Sequence, residues 1–328
     1  MNLREVSPKH VNIRSWKAAA KAQLFLAVRR LLSQSKRTAL KKKIVVSRKR
    51  LSAAYLVIYG RYSARELVEQ LKNRVPENFS ILMVHSSYDR LLPMYTGSPQ
   101  DLVRELMAFC GRDRTLAMPA FMLGGRFYDK KQYFSKRAFD VNRTPSEMGI
   151  LTEVFRRTPG VMRSLHPTHS VCAIGPLAQE LTSTHHLAPT RTGNGTPFET
   201  MSRKPTAIVG LGVEYYRCLA HTHTAEDTLG DDFPIKFHRM LLPVGLVDWN
   251  GNKLQYNLPI PLTSEQVDNT LLRSLLSEHE LVEWRFRGTA MFVTAAGTIT
   301  ECLIKAAKNG VTVYRSSRAN ARGDHARD

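Results

Sequence analysis

The chain has 328 residues, 43% hydrophobic and 23% charged, enough for one large or two ordinary domains with a core of their own. It has no run of 18 apolar residues and no apolar N-terminal stretch ending in a small-residue cleavage site, so neither a spanning helix nor a secretory signal is expected. The net charge of +20 is uneven: residues 1–61 hold 16 Lys and Arg against one acid, Glu5, residues 315–328 contribute +2, and the body between them only +3. The basicity therefore belongs to an arm.

In that arm, residues 12–43 place Trp16, Leu24, Leu26, Val28, Leu31 and Leu32 at helical spacing among bases. The pattern suits a basic amphipathic helix on an anionic membrane surface, on another protein or, least expected, on nucleic acid; a solvated helix packed on the body is the plainer reading. The body is expected from Ser63. There Ser63 and Glu66 have capping-box spacing, and Leu67, Leu71 and Val75 recur at i, i+4 and i+8. ILMVH (81–85) reads as a strand ending in the polar loop HSS, PQDLVRELMAFC as a helix stopped by Gly111, and TLAMPAF as a second strand. SEMGILTEVFRR predicts a helix with the apolar set Met148, Leu151 and Phe155, stopped at Pro159-Gly160. SVCAIG, the helical PLAQELTST and the buried strand TAIVGLGV (206–213) follow. LLPVGLVDWNGNKLQYN alternates around Asn250-Gly251, a hairpin signal, and the C-terminal TAAGTITECLIKAAKNGVTVYR predicts a helix, a stop at Gly310 and a last strand. Alternating strands and helices imply an α/β layered fold with a mixed β-sheet, preceded by the basic helical arm. The expected domains are the arm at 1–62, the body at 63–314 and a basic, disordered tail at 315–328.

LAHTHTAEDTLGDD (219–232) and RSLHPTHS (163–170) concentrate the chemistry. His221, His223, Asp227 and Asp231 can be written as a metal site, but H-x-H is a weak signal and there is no C-x-x-C. If TAEDTLG begins a helix, His223 and Glu226 share a face at i, i+3 while His221 lies outside it. An imidazole oriented by a carboxylate is the arrangement of a general base. The loop RSLHPTHS offers Arg163, Ser164, His166 and His169 to a phosphate, and HSS offers His85, Ser86 and Ser87 at a strand end, with Asp89 close behind. For each of these the bland reading is a polar turn. GxxxxGK[ST], G-x-S-x-G and a GxGxxG after a strand are all absent. The scattered Cys110, Cys172, Cys218 and Cys302 fit a reducing, cytoplasmic setting, and none reads as a nucleophile.

In order, ILMVHSS, TLAMPAF, FDVNRTPSEMGILTEVFRRTPGVMRSLHPTHSVCAIGP, GNGTPFETM, IVGLGV and H-T-A-E resemble the aminoglycoside 3-N-acetyltransferase family, also called the antibiotic N-acetyltransferase family. The resemblance covers roughly residues 63–310, and 145–170 is its most specific stretch. It implies a three-layer α/β/α enzyme that takes acetyl from acetyl-CoA, without a metal, and gives it to an amine. It implies His223 as the general base with Glu226 beside it, and coenzyme contacts at Ser86, Ser87, Arg163, Ser164 and His166. His85, Asp89, His169 and Asp227 are candidates for the substrate side or for supporting roles. Family members are often dimers, which extends to a homodimer here.

Three departures bear on the acceptor. The loop after HSS, YDRLLPMYTG, is longer and richer in aromatics than the family's. YNLPIPL (256–262) stands where drug-modifying members carry an acidic run, and residues 1–62 have no counterpart. A polycation is drawn to acidic clefts, so the expected acceptor is an amino sugar or related small amine, with antibiotic inactivation second. The competing readings are a metal-dependent hydrolase using the same histidines and a non-catalytic binding protein acting through the arm. A peripheral place at the membrane would follow from the arm.

Overall fold

The computed structural model describes residues 51–122, 130–237, 239–261 and 266–315. The expected arm helix at 12–43 and the expected tail lie outside these residues, apart from Arg315. The chain divides into two units, 1–54 and 55–328, of which the first is described only from Leu51. Helix α1 (Ser52–Tyr59) leads into the second unit and leaves Val57 and Ile58 exposed.

The first helices form where the caps predict. Ser63 Oγ accepts the Glu66 N–H, and the Glu66 carboxylate accepts the Ser63 N–H at 2.8 Å, opening α2 (Ala64–Lys72). Ser98 and Asp101 repeat the device at α3 (Pro99–Cys110), which ends at Gly111 with φ +66°. The remaining helices are α4 (Lys130–Ser135), α5 (Ile150–Arg156), α6 (Ala178–Thr182), α7 (Pro197–Arg203), α8 (Thr224–Leu229), α9 (Leu272–Leu275) and α10 (Ala296–Lys308). The helix expected over SEMGILTEVFRR starts only after Gly149, whose φ of +103° breaks the helical path, so Met148 is not part of it.

The strands are β1 (Ile81–Ser86), β2 (Thr115–Pro119), β3 (Phe139–Asp140), β4 (Met162–Arg163), β5 (Val171–Ile174), β6 (Thr206–Leu211), β7 (Arg239–Val247), β8 (Lys253–Pro261), β9 (Gln266–Val267), β10 (Leu281–Phe286), β11 (Thr289–Ala295) and β12 (Tyr314–Arg315). Seven form one mixed sheet in the order β10-β11-β6-β1-β2-β5-β4. Its centre, β6-β1-β2, is parallel, and the strands outside it pair antiparallel. The central strands are buried on both faces, as their continuous apolar runs require. Leu82 and Val84 of β1 pack in one layer with Leu67, Leu71, Leu102, Leu106, Leu151 and Phe155 of α2, α3 and α5. Ile81, Met83 and His85 alternate to the other face, the side of α7 and α10, where Phe198, Met201 and Ile299 are fully buried. The three-layer α/β/α reading with a mixed sheet holds.

The expected hairpin is β7–β8, turning through Asp248–Asn252 with Gly251 at φ +85°. It forms a second, three-stranded sheet, β3-β7-β8, over its own cluster of Phe139, Leu165, Val244, Leu246, Tyr256 and Leu258. The last strand, β12, pairs with β9 rather than joining the main sheet. Hairpin β10–β11, at the sheet's edge, was not among the expected elements.

Register decides where loops meet. His85 lies opposite Gly210 and Ser86 opposite Leu211, so parallel β1 and β6 end together. Pro119 at the end of β2 lies opposite Val171 at the start of antiparallel β5. The HSS loop, the RSLHPTHS loop and the segment leading to His223 therefore leave one edge of the sheet, the carboxyl edge of its parallel strands.

Candidate active site

After β6 the chain runs through a short 3-10 turn, Ala220–His223, into α8. The Thr224 hydroxyl donates to the His221 carbonyl at 2.6 Å and fixes the junction. His223 and Glu226 come onto one face as expected, with Nδ1 3.4 Å from Glu226 Oε2. Two further residues close on this pair. Tyr314 brings its hydroxyl to 2.9 Å from His223 Nδ1, and Arg191 Nη2 lies 2.5 Å from Glu226 Oε1 and 3.3 Å from His223 Nδ1. Burial alone would raise the Glu226 carboxyl, but His223 and Arg191 outweigh it and hold it below the ordinary carboxylate value. With Nδ1 surrounded by these partners, Nε2 is the nitrogen left to act, on a ring whose side chain is 20% exposed.

The neighbouring carboxylate is fully engaged. Asp227 Oδ2 accepts from the Thr192 N–H at 3.0 Å and its hydroxyl at 2.7 Å, while Oδ1 accepts from Arg239 Nη2 at 3.0 Å. These bonds tie the loop carrying Arg191 to α8 and to the start of β7. Beside them opens a pocket lined by Thr168, His169, Thr190, Arg191, Asp227, Arg239, Leu258 and Pro259.

The residues of RSLHPTHS turn inward. The Arg163 guanidinium donates to the carbonyls of Ala120 (2.7 Å) and Thr144 and to Ser170 Oγ (3.0 Å), and lies 4.8 Å over the Phe139 ring. Burial pulls it down to about 10. Ser164 Oγ accepts the Val171 N–H and meets His185 Nδ1 at 2.9 Å. His185 Nε2 in turn lies 3.0 Å from the Arg191 carbonyl, which makes it the donor and fixes the tautomer. His166 Nδ1 accepts from the N–H groups of Thr168 and His169, leaving Nε2 to donate to Tyr256 Oη at 3.3 Å. Arg163, Ser164 and His166 were expected to touch coenzyme. All three are at most 4% exposed, with their polar atoms spent inside the protein. What they shape is the loop and, through His185, the backbone at Arg191.

His169 does reach the pocket, with Nδ1 2.9 Å from the Thr168 hydroxyl. Ser86 and Ser87 are half-buried at the end of β1, and Asp89 is exposed on the short turn that follows. His221 does not join His223. It is wholly buried with its ring 5.2 Å from Phe198. Neither of its ring nitrogens, nor His85 Nε2, has a partner among the described residues, and burial pulls His85 down to about 4 and His221 to about 3. Among the described residues no three His, Cys, Asp or Glu side chains converge as metal ligands would. The hydrolase reading therefore lacks the ligand set it needs in His221, His223, Asp227 and Asp231. The four cysteines are free thiols, and burial pushes Cys110 and Cys172 up to about 12.

The model of the aminoglycoside 3-N-acetyltransferase family matches residues 83–306, from β1 through α10, and so takes in the sheet and the His223–Glu226 pair. The chain belongs to this family. Among curated members it is 32% identical over 120 residues to aminoglycoside N(3)-acetyltransferase IV of Salmonella sp, covering 36% of this chain and 41% of that protein. It is 28% identical over 161 residues to aminoglycoside N(3)-acetyltransferase III of Enterobacter cloacae, covering 46% and 56%. The chain thus spans about half the length of the curated relatives it matches. The fold extends further than the sequence match. Aminoglycoside acetyltransferase AAC(3)-Xa superposes with a TM-score of 0.67 at 18% identity, over 80% of this chain and 99% of that one. AAC-IIIb, solved as a binary complex with CoASH, gives 0.62 at 18% identity, over 78% and 99%. Arg191 and Tyr314 were not foreseen as site residues. They lie 32 and 91 residues from His223, and no local pattern links them to it.

Proposed function

We propose that this family member transfers acetyl from acetyl-CoA to an amino group of an amino sugar or aminoglycoside-like small molecule, with His223 as general base. The observation that carries the reading is the arrangement at His223: Nδ1 is enclosed by Glu226, Tyr314 and Arg191, and a proton held on Nδ1 toward Glu226 makes Nε2 the basic atom. The acceptor nitrogen attacks the thioester carbonyl. A C–N bond forms, the carbonyl electrons move to oxygen, and Nε2 takes the proton that the nitrogen loses. Collapse of the tetrahedral intermediate breaks the C–S bond, and the departing thiolate recovers that proton from the imidazolium. Glu226 stabilises the imidazolium formed in between and orients the ring. Ser86 and Ser87, with the N–H groups at the end of β1, are the groups we assign to the coenzyme side and to the developing oxyanion. His85 backs that strand end from within the core, His169 and Asp227 border the pocket, and Asp89 is exposed on the turn after β1.

That a CoASH complex of AAC-IIIb shares this fold supports the choice of coenzyme, and aminoglycoside complexes of AAC(3)-IVa support a small amine as acceptor. A homodimer, and an arm resting on an anionic membrane surface or another protein, complete the reading; these rest on the sequence. The test is thiol release on mixing the chain with acetyl-CoA and a panel of amines, with acetylated product identified by mass. Consumption of acetyl-CoA that depends on the amine is expected. Release with no amine in the panel, together with no binding of coenzyme, overturns the proposal.

A further inference from the structure

We infer that the pocket beside His223 selects an acceptor amine that also carries an anionic group, a carboxylate or a phosphate, held by Arg239 with Arg191. The inference rests on the acetyl-transfer reading and names its substrate class.

The argument starts from which charges face the pocket. Both carboxylates near it are spent. Asp227 has a side chain 1% exposed and accepts three hydrogen bonds from Thr192 and Arg239. Glu226 is 2% exposed and is divided between Arg191 and His223. Buried to this degree, both carboxylates leave almost no surface to an incoming ammonium. The guanidiniums are the exposed members of these pairs, at 22% for Arg191 and 26% for Arg239. Each has five N–H donors in a planar fork, and the bonds described engage only Nη2 of each within hydrogen-bond distance. Donors therefore remain for a ligand anion, in the geometry that matches carboxylate or phosphate oxygens.

The pocket's other polar groups are the Thr168 and Thr190 hydroxyls and the His169 imidazole, and Leu258 supplies an apolar wall. Among the described residues lining it, Asp227 is the sole carboxylate. A polycationic amine would meet two guanidinium edges there and no free carboxylate, which is electrostatic mismatch at close range. An amine whose anionic group lies on Arg239 is steered the other way, with its nitrogen toward His223. Arg191 beside the reacting nitrogen also disfavours the ammonium form, so the acceptor arrives closer to the free amine that must attack.

The test is calorimetric titration of the full chain, in saturating free coenzyme A, with four amines: glucosamine, glucosamine 6-phosphate, glucosaminic acid and gentamicin. At least one anionic amine is expected to bind about tenfold or more tighter than glucosamine, with the advantage shrinking as salt is raised. Which of the two binds identifies phosphate or carboxylate as the group. Arg239→Gln is expected to remove that advantage, and Arg239→Lys to restore part of it. Tightest binding by gentamicin, no advantage for either anionic amine, or an advantage unchanged in Arg239→Gln overturns the inference. If the variants fail to fold, the wild-type ranking decides alone. Coenzyme A is titrated separately. Failure of the transfer reading shows as no heat with coenzyme, and failure of this inference as the wrong order of amines.

Discussion

Tyr314 and Arg191 are the residues through which the rest of the fold acts on His223. Tyr314 Oη at 2.9 Å from Nδ1 fixes the ring plane from a strand that is not part of the main sheet. Its removal in Tyr314→Phe costs one hydrogen bond, about 1 kcal/mol. We expect kcat to fall roughly fivefold with little change in coenzyme affinity, and the pH–rate profile to move because a partner of Nδ1 is lost. Equal losses in kcat and in stability with an unmoved profile would mark Tyr314 as merely structural. His223→Ala removes the proposed base and is expected to lower kcat/KM by about 10² to 10⁴. The His223–Glu226 pair was legible from its i, i+3 spacing ahead of a helix. Arg163, Ser164 and His166 were legible as a polar cluster but not as a buried one. Sequence shows that a loop is rich in donors and acceptors; only the fold shows whether they are spent on each other.

At the scale of elements, Arg163 holds the two sheets together. It reaches from β4 to the carbonyls of Ala120 after β2 and Thr144 after β3, all within the protein. Arg163→Ala takes this donor from the Thr144 carbonyl, while the Ala120 carbonyl keeps the Ser170 hydroxyl at 2.7 Å; an acceptor left unsatisfied costs about 1–3 kcal/mol. It is expected to appear as a fall in melting temperature rather than as weaker coenzyme binding per folded molecule. Gly210 is a second fixed point. A Cβ there would lie 2.0 Å from Phe292 Cε1, because Phe292 on β11 covers β6 directly opposite His85. Gly210→Ala should destabilise by about 1–3 kcal/mol through overpacking, measured by denaturant unfolding.

The strands of the central sheet were legible as short apolar runs. Hairpin β10–β11 was not, although Val282, Trp284 and Phe286 alternate with Glu283 and Arg285 as a half-buried edge strand should. Its turn hides it. Arg287 and Gly288 both have positive φ, as a two-residue hairpin turn demands, but Arg occupies the place where Asn or Asp would signal the turn.

Across the whole molecule, the face of the sheet that carries the site is built on neutral histidines. His85, His166, His185 and His221 are buried, and burial pulls each below the ordinary value of 6.5, His85 to about 4 and His185 and His221 to about 3. Between those values and 6.5 the unfolded chain binds protons that the folded chain does not. Stability is therefore complete above pH 6.5 and falls as pH falls below it, by about 1 kcal/mol for each histidine over the first pH unit. Chemical denaturation at pH 7 and pH 5.5 is expected to show a loss of about 4 kcal/mol, and His185→Gln a smaller loss between the same two pH values. A flat profile would mean that these imidazoles take up protons in the native state as readily as in the unfolded one.

The charge asymmetry of the chain was plain in the sequence, whereas the neutralisation of the acids beside His223 was not. Glu226 and Asp227 meet Arg191 and Arg239 only because the loop at 188–196 and the start of β7 fold onto α8.

The most direct test of the central claim is to follow acetyl-CoA binding and amine-dependent thiol release in the same preparations of wild type and His223→Ala. The account predicts that both bind acetyl-CoA with similar affinity and that only the wild type releases thiol at an appreciable rate, because His223 moves a proton and does not hold the coenzyme. Thiol release by His223→Ala within a few-fold of the wild-type rate would contradict it.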